Sequence, residues 1–355
     1  MKHTEKACLP GLTLNEIADL VSGLNWPSYK AEQIYTWLYK KWASDFDQMT
    51  NLSTKERRFL AENFNLSPLS LKEKQVSKDK TIKYLWKLKD GNFVESVRMF
   101  LEDHDSYTAC ISSQVGCAVG CPFCATGKLG FKRNLNASEI VDQILSIQRD
   151  TNERINNIVF MGQGEPLLNY DELIKSISLI RQCIGIGARH ITISTSGIVP
   201  QIKRLADEKL QATLAVSLHA PDQKTREILV PISKKYKMDE LMKSLYYYYD
   251  KTKRRITFEY VMLEDINDQI EKAKELGVLI KDLHCHVNLI PYNPIDHSLL
   301  GKTPNFSFSR PSNKKINLFK ETLEKASHKK VTTRKERGVD VAAACGQLAN
   351  KAVDC

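Results

Sequence analysis

The sequence predicts an α/β fold in which a partial barrel of six β–α units lies between a small, mainly helical domain and a C-terminal extension. From about residue 107 onwards, short apolar segments rich in β-branched residues alternate with amphipathic segments. Such alternation is typical of parallel strands joined by right-handed helical crossovers. Only six such units occur, which is fewer than the eight of a closed barrel and therefore favours an open one.

The N-terminal part has a different pattern. Residues 13–64 carry apolar side chains at helical spacing, which predicts helices. Two segments rich in β-branched and aromatic residues follow, and the Asp-Gly pair between them predicts a hairpin. We therefore assign residues 1–80 to a helical accessory domain and residues 81–106 to a linking hairpin.

The barrel is assigned to residues 107–295. Its predicted strands are 107–112, 157–161, 190–195, 212–218, 256–263 and 284–290. The helices expected between these strands are 138–149, 170–183, 198–208, 222–230, 238–250 and 269–281. Residues 296–355 form the C-terminal extension, with a polar surface loop at 296–313, a helix at 314–327 and a strand at 330–334.

Composition limits the function classes. The 355 residues are 42% hydrophobic and 26% charged, which excludes a largely disordered chain. No apolar run is long enough to cross a membrane, and the first ten residues lack the apolar centre of a signal peptide. Nine cysteines, an odd number with three in a tight group, indicate metal or redox chemistry in a reducing compartment such as the cytoplasm.

The positive charge is unevenly distributed. Of the net charge of +10, residues 51–100 carry +5 (11 basic minus 6 acidic) and residues 301–355 carry +7 (12 minus 5). A basic periphery around a nearly neutral centre suits a polyanionic substrate such as RNA, although a lysine-rich soluble surface has the same signature.

The strongest chemical signal is a group of three cysteines, Cys117, Cys121 and Cys124, in a loop after a predicted strand. Cubane iron–sulfur clusters normally take four cysteines, so three ligands leave one iron open to a cofactor or substrate. The alternative is a structural zinc site completed by a distant His or Cys.

This CxxxCxxC spacing resembles the cluster loop of radical S-adenosylmethionine enzymes. Met161-Gly162-Gln163-Gly164-Glu165-Pro166 is similar to the GGEP-type turn of that superfamily. The resemblance implies one [4Fe-4S] cluster held by the three cysteines and S-adenosylmethionine as cofactor. The glycines of the turn would let the backbone approach the cofactor, and its acid would accept a bond from the cofactor ammonium.

Further segments are more specific and resemble the RlmN/Cfr family of RNA adenine methyltransferases, from about Glu95 to Leu348. They are Ser113-Gln114-Val115-Gly116, Ser194-Thr195-Ser196-Gly197, Ser217-Leu218-His219-Ala220-Pro221, Asn288-Leu289-Ile290-Pro291-Tyr292-Asn293-Pro294 and Ala344-Cys345-Gly346-Gln347-Leu348. By this resemblance, the residues that bind S-adenosylmethionine are Gly164, Glu165, Ser194, Ser217, Leu218, His219 and Asn293.

The resemblance also assigns three catalytic residues. Cys345 accepts a methyl group from one S-adenosylmethionine, and a second molecule is split at the cluster, so that two are used per turnover. Cys110 matches the cysteine that resolves the covalent protein–RNA intermediate through a transient disulfide. Glu95 matches the base that removes the ring proton.

The family has two branches. One methylates carbon 2 of an adenosine in 23S rRNA, and in some members a tRNA adenosine. The other methylates carbon 8 of the same rRNA base and confers antibiotic resistance. Residues 164–169 resemble the carbon-2 branch, and membership of this branch is our main interpretation. Gln163 is a departure, because that branch commonly has methionine at this position. The long 296–313 loop is a second departure.

The resemblance implies an external electron donor such as flavodoxin and no membrane partner, and we expect a monomer. The alternative from another class is a non-catalytic RNA-binding protein with a structural metal site. Such a protein has no need of Cys110 and Cys345 outside the cluster. A radical enzyme that transfers a thiomethyl group is disfavoured because a second three-cysteine group is absent from the sequence.

Overall fold

The computed structural model describes residues 6–295 and 308–350. Its N-terminal helices are α1 (Leu14–Gly23), α2 (Tyr29–Tyr39) and α3 (Thr54–Asn63). Capping boxes begin α1 and α3, where the hydroxyls of Thr13 and Ser53 accept hydrogen bonds from backbone N–H groups of the first turn. These caps explain why the helices begin where the sequence changes from loop to periodic pattern.

Most strands of the described chain join one ten-stranded sheet. In chain order the strands are β1 (Ala7–Cys8), β2 (Phe64–Asn65), β3 (Leu69–Val76), β4 (Ile82–Leu88), β5 (Phe93–Leu101), β6 (Ser106–Cys110), β7 (Gln114–Gly116), β8 (Phe131–Asn134), β9 (Asn157–Phe160), β10 (Ile191–Thr195), β11 (Thr213–Ser217), β12 (Ile256–Met262), β13 (Cys285–Pro291) and β14 (Val331–Thr333). The order across the large sheet is β14-β13-β12-β11-β10-β9-β6-β5-β4-β3. Neighbours from β6 to β14 are parallel, and β3 to β6 pair antiparallel.

Helices cover the parallel part of the sheet. They are α4 (Ala125–Lys128), α5 (Ala137–Thr151), α6 (Tyr170–Leu179), α7 (Val199–Asp207), α8 (Gln223–Leu229), α9 (Met238–Thr252), α10 (Ile270–Ile280) and α11 (Asn313–Ser327). The six predicted parallel strands and the helices between them are confirmed to within two residues, with α6 continuing as a π-helical turn, Ile180–Ile184. The strand predicted at 330–334 is β14, a seventh parallel strand.

The hairpin of β4 and β5 does more than link two parts of the chain. Strand β5 pairs with β6, so the hairpin extends the barrel sheet beyond its first parallel strand. Strand β3, which the sequence analysis missed, adds a further antiparallel strand at the edge. Most of the side chains of β3 are exposed or half-buried and its sequence, LSLKEKQV, is charged, so it lacks the apolar signal of a buried strand.

Most of the polar loop predicted at 296–313 lies outside the described residues. Near the end of this segment, Phe308 is buried rather than on the surface. Its ring centroid lies 6.5 Å from that of Phe123 and 6.1 Å from that of Tyr292. The end of this segment therefore packs beside the cysteine loop. Among the described residues, no helix is both long and apolar enough to cross a membrane.

The two-stranded pair of β7 and β8 encloses the cysteine loop. Its geometry depends on Gly116, whose φ is +72° and whose Cα lies so close to the opposite strand that an added Cβ would stand 1.7 Å from the carbonyl oxygen of Gly130. The Cys117 N–H donates to the same carbonyl at 3.0 Å. A side chain at position 116 would therefore force the two strands apart.

We predict that Gly116→Ala lowers the free energy of unfolding by about 1–3 kcal/mol, because it combines backbone strain with a steric clash. It should also reduce the iron bound per chain after reconstitution. Gly23→Ala is the matched control, because a Cβ on Gly23 meets nothing within 4 Å. Denaturant unfolding and iron analysis of both variants test the prediction, which fails if Gly116→Ala behaves like the control.

Candidate active site

The segments singled out in the sequence meet at one end of the barrel. They follow the carboxyl ends of parallel strands, where the loops of such barrels build active sites. One cavity is lined by most of the predicted residues: Cys117, Cys121, Cys124, Gly164, Glu165, Ser194, Ser217, His219, Asn293 and Cys345. The side chain of Leu218 is fully buried and does not line this cavity.

The three cysteines of the loop are half-buried and close to one another, which is electrostatically costly for their thiolates. Burial raises the pKa of Cys117 to about 12 and also raises the pKa values of Cys121 and Cys124, and neighbouring thiols contribute in the same direction. Thiolates gathered in such a place need a compensating positive charge, which a metal centre provides. This donor set fits an iron–sulfur cluster.

A single metal ion is a poorer fit. No three His, Cys, Asp or Glu side chains within residues 6–295 and 308–350 are grouped as ligands of one ion. Cysteine thiolates are the usual ligands of iron–sulfur clusters, which contain several iron atoms and so do not require all thiols to meet at one point. The residues that the structure describes thus offer no ready ligand group for the structural zinc alternative.

Glu165 is fixed by hydrogen bonds from the next loop. Its Oε2 accepts from the N–H and the hydroxyl of Ser196, at 2.6 and 2.7 Å, and its Oε1 accepts from the Leu167 N–H at 3.0 Å. Burial raises its pKa, while these donors oppose the shift. The carboxylate is thus oriented before any cofactor arrives.

Gly164 allows two segments of the chain to pack closely together. It has a φ of +101°, and an added Cβ would lie 2.6 Å from the Cβ of Gln114. The side chain of Gln114 in turn accepts the Glu165 N–H at 2.9 Å. The glycine therefore allows the loop after β9 to close onto the segment that leads into the cysteines.

His219 is buried in an uncommon backbone conformation, with φ of +60°. Its Nδ1 accepts the Val261 N–H at 3.0 Å, and its ring meets the edge of Phe123 with centroids 5.1 Å apart. Burial lowers its pKa to about 3, with a further contribution from Arg226. The imidazole is therefore neutral and presents a fixed surface to the cavity.

Cys345 reaches the cavity because its segment is docked on the cysteine loop. The Ala125 N–H donates to the Gly346 carbonyl at 2.7 Å, and the Thr126 hydroxyl donates to the Leu348 carbonyl at 2.8 Å. The Gln347 side chain donates to the Pro294 carbonyl at 2.9 Å. These bonds hold the segment against both α4 and the end of β13.

A second cavity lies next to the first and contains Cys110. Cys345, Arg334, Met161 and Asn293 line both cavities. Burial raises the pKa of Cys110 to about 12, nearby Cys345 adds to the shift, and the positive charge of Arg334 opposes it. The cysteines predicted to accept and to resolve the methyl intermediate thus face one space, and both are free thiols.

Glu95 is placed differently from the other predicted residues, because it lines neither cavity. Its Oε2 accepts the N–H groups of Ala349 and Asn350, at 2.7 and 3.0 Å, and Lys83 Nζ lies 3.4 Å from its Oε1. Burial raises its pKa, while Lys83 and these two amides oppose the shift. Its carboxylate holds the chain just beyond Cys345.

Three charged residues of this region were missed by the sequence analysis. Arg226 is fully buried and its Nη2 donates to the carbonyls of Ser196 and Ser217, at 2.6 and 3.3 Å. Glu259 and Arg334 line the first cavity. A signal for Glu259 exists in the sequence, since a lone acid within the apolar strand ITFEYVM is typical of a functional position.

Comparison with known proteins gives a consistent result. Residues 111–277 match the model of the radical SAM superfamily, and residues 8–66 match the ribosomal RNA large subunit methyltransferase N-terminal domain. The chain is 48% identical over 350 residues to a probable dual-specificity RNA methyltransferase RlmN of Alkaliphilus oremlandii, covering 98% of both chains. It is 45% identical over 346 residues to a protein of the same name from Thermotoga maritima, covering 96% of this chain and 97% of that one.

A solved structure agrees over nearly the whole fold. It is a radical SAM methyltransferase from Sphaerobacter thermophilus, with a TM-score of 0.91 and 43% sequence identity. The match covers 97% of this chain and 100% of that one.

We predict that His219 makes stability fall as the pH falls below 6.5, its ordinary pKa. In that range the unfolded chain binds a proton at this imidazole, whereas the folded chain, with the pKa lowered to about 3, does not. Between about pH 7.5 and pH 5.5, the wild type should lose about 1 kcal/mol more free energy of unfolding than His219→Gln. Equal losses in denaturant titrations of the two proteins would contradict the prediction.

Proposed function

We propose, because the chain belongs to the RlmN family of radical S-adenosylmethionine RNA methyltransferases, that it methylates carbon 2 of an adenosine in 23S rRNA and also of a tRNA adenosine. The observation that carries the proposal is the position of Cys345. This thiol lines both the cavity of the three loop cysteines and the cavity of Cys110. A methyl group on its sulfur would therefore be accessible from the cofactor side and from the substrate side.

The radical SAM superfamily uses S-adenosylmethionine and an iron–sulfur cluster, and the cysteine loop fits such a cluster. We propose that Cys117, Cys121 and Cys124 hold one [4Fe-4S] cluster, which with S-adenosylmethionine supplies a carbon radical when both are bound. Glu165, Ser194, Ser217 and Asn293 would bind the polar groups of the cofactor. Two cofactor molecules are needed per turnover, one to methylate Cys345 and one for the radical step.

The chain's own residues then perform the remaining steps. Cys345 carries the carbon that becomes joined to the adenine. Glu95 would take the proton of that ring carbon, and the one electron that the joined radical gives up would return to the electron carrier that supplied it. The Cys110 thiolate attacks the Cys345 sulfur, so that an S–S bond forms and the bond from that sulfur to carbon breaks. The electron pair leaves with the carbon, which takes up a proton to become the methyl group. Burial raises the pKa of Cys110 and so disfavours its thiolate. The positive charge of Arg334 opposes this shift and would thereby help to supply the reactive thiolate.

The alternatives considered for the chain have less support. The named relatives with 44–48% identity over most of the chain are RlmN proteins, which favours carbon 2 over the carbon-8 reaction of the Cfr branch. Pro166, Leu167 and Leu168, which favour the same branch, form a 3₁₀ turn directly after Glu165. A non-catalytic binding protein would not account for two free thiols beside the cysteine loop.

The remaining partners follow from this reaction. We propose that the N-terminal domain, residues 1–80, docks RNA, and that an external donor such as flavodoxin supplies the electron for the radical step. The enzyme would act as a monomer in the cytoplasm, where its RNA substrates occur. The match of residues 8–66 to the N-terminal domain of ribosomal RNA methyltransferases supports the docking role.

We predict that the reconstituted protein forms 2-methyladenosine in rRNA when supplied with S-adenosylmethionine and a reductant. Cys345→Ala should form none, because the methyl-accepting sulfur is gone. Nucleoside mass spectrometry of the RNA measures both results. Formation of 8-methyladenosine would assign the chain to the carbon-8 reaction. Absence of any methylated adenine, despite an intact cluster and a verified substrate, would overturn the proposed activity.

We predict that Cys110→Ala stops the reaction at a later step than Cys345→Ala does, after the RNA has become joined to Cys345. Without the resolving thiol, the bond between Cys345 and the RNA cannot break, so a covalent protein–RNA adduct should accumulate while methylated product falls at least about tenfold. Denaturing gels with labelled RNA detect the adduct. Cys183→Ala is the control, because Cys183 is buried in the core and lines neither of the two cavities. Adduct in the control, or none in Cys110→Ala, would contradict the assignment.

A further inference from the structure

Gln163, which lies between Gly162 and Gly164 in the loop after β9, connects two distant parts of the chain. Its side chain is buried, with 1% of the residue exposed. Its Oε1 accepts the Glu95 N–H at 3.2 Å, and its Nε2 donates to Asn350 Oδ1 at 2.8 Å. The side-chain amide thus joins β5 to the chain beyond Cys345, and it does not line the cavity of the cysteine loop.

The backbone of Gln163 is held by hydrogen bonds that do not involve its side chain. Its carbonyl accepts the N–H groups of Ser113 and Gln114, at 2.9 and 3.2 Å. Its N–H donates to the Ser112 hydroxyl at 2.9 Å, and that hydroxyl donates to the Glu95 carbonyl at 2.5 Å. The loop after β9 and the backbone of Glu95 are therefore connected whatever side chain stands at position 163.

The side chain of Gln163 adds a connection that the backbone does not supply. Asn350 accepts from Gln163 through its side chain, and its backbone N–H donates to the Glu95 carboxylate at 3.0 Å. Three residues from three parts of the chain therefore form a closed ring of hydrogen bonds. Methionine at position 163 would leave the buried Glu95 N–H and the Asn350 side chain without these partners.

This ring of hydrogen bonds connects the docking of the segment after Cys345 to the position of Glu95. In the structure, the Glu95 carboxylate accepts the N–H groups of Ala349 and Asn350 and faces neither cavity. The carboxylate must therefore move toward one of the cavities before it can take a proton from a substrate. The side chain of Gln163 contacts both partners of this arrangement, the Glu95 N–H and the Asn350 side chain.

We propose that Gln163 is a positioning residue that couples docking of residues 348–350, the segment after Cys345, to the alignment of Glu95. The alignment half of this proposal rests on the proposed function, in which Glu95 is the base. The docking half rests on the hydrogen bonds alone.

Hydrogen exchange on the full-length reconstituted protein tests the docking half. Gln163→Met and Asn350→Ala should each raise exchange in a peptide covering residues 346–350 by about tenfold, because each removes one bond that holds the segment. The double variant should exchange no faster than the single ones, since both remove the same bond. Unchanged exchange in Gln163→Met, or additive effects in the double variant, would overturn the coupling.

Gln148→Met is a matched control. Gln148 is also a fully buried glutamine, and its Oε1 accepts the Ile155 N–H at 2.9 Å. It contacts neither Glu95 nor the segment after Cys345, so its variant should lose stability without altering exchange at 346–350. If Gln148→Met raised exchange at residues 346–350 as much as Gln163→Met does, general destabilisation would explain both results, and the proposal would be overturned.

Turnover tests the alignment half. Gln163→Met should lower kcat about tenfold with little change in KM for RNA, and should accumulate the covalent protein–RNA adduct, because a misaligned base delays its resolution. Wild-type kcat in Gln163→Met would overturn the alignment half. Wild-type turnover in Glu95→Gln would instead overturn the assignment of Glu95 as the base, and the alignment half with it, whereas the exchange experiment would still decide the docking half.

Discussion

The contact between the C-terminal segment and the cysteine loop is the interaction on which the site depends. The hydroxyl of Thr126 and the carbonyl of Leu348 are 222 residues apart in sequence and 2.8 Å apart in space. Together with the bond from Ala125 to Gly346, this contact carries Cys345 into the cavity of the cysteine loop. Closing so long a loop costs chain entropy, which must be offset by packing of the barrel and of the hairpin on which the segment lies.

Several contacts beyond the cysteine loop contribute to that docking. Asp340 accepts the Ser77 hydroxyl at 2.5 Å and the Lys78 N–H at 3.1 Å, and Asp79 accepts the Gly338 N–H at 2.9 Å. These bonds attach the segment to the turn between β3 and β4. Strands β3 and β4 therefore have two functions, since they extend the sheet and their turn provides a platform for the chain that carries Cys345.

The site also concentrates ionisable groups in a buried region, at an electrostatic cost. Burial raises the pKa values of Cys117, Cys110, Glu165 and Glu259, so their charged forms are disfavoured unless a positive group lies nearby. Arg334 lies close enough to oppose the shifts of both Cys110 and Glu259. Chemistry that needs thiolates at this place therefore depends on cationic partners as much as on the cysteines themselves.

The sequence predicted the parallel strands and brought most of the predicted site residues to one cavity, because both have strong local signals. Apolar strands such as β9 and β10 are bounded by loops, and the cysteine spacing is specific in itself. The edge strand β3 was missed because its exposed, charged side chains have no apolar pattern. The roles of Gln163 and Asn350 in holding Glu95 could not be predicted, since hydrogen bonds between residues so distant in sequence depend on how the C-terminal segment folds back.

The register of β5 against β6 places Glu95 relative to Cys110. Val97 is the direct partner of Cys110 in the antiparallel ladder, and Glu95 lies two residues before Val97 on the same strand. Because side chains alternate along a strand, Glu95 and Val97 lie on the same face of the sheet. Val97, Cys110 and Leu348 indeed pack together in one small apolar cluster. A shift of one residue in this register would turn Glu95 to the opposite face, so the hairpin's pairing is as much a requirement of the site as the cysteine spacing.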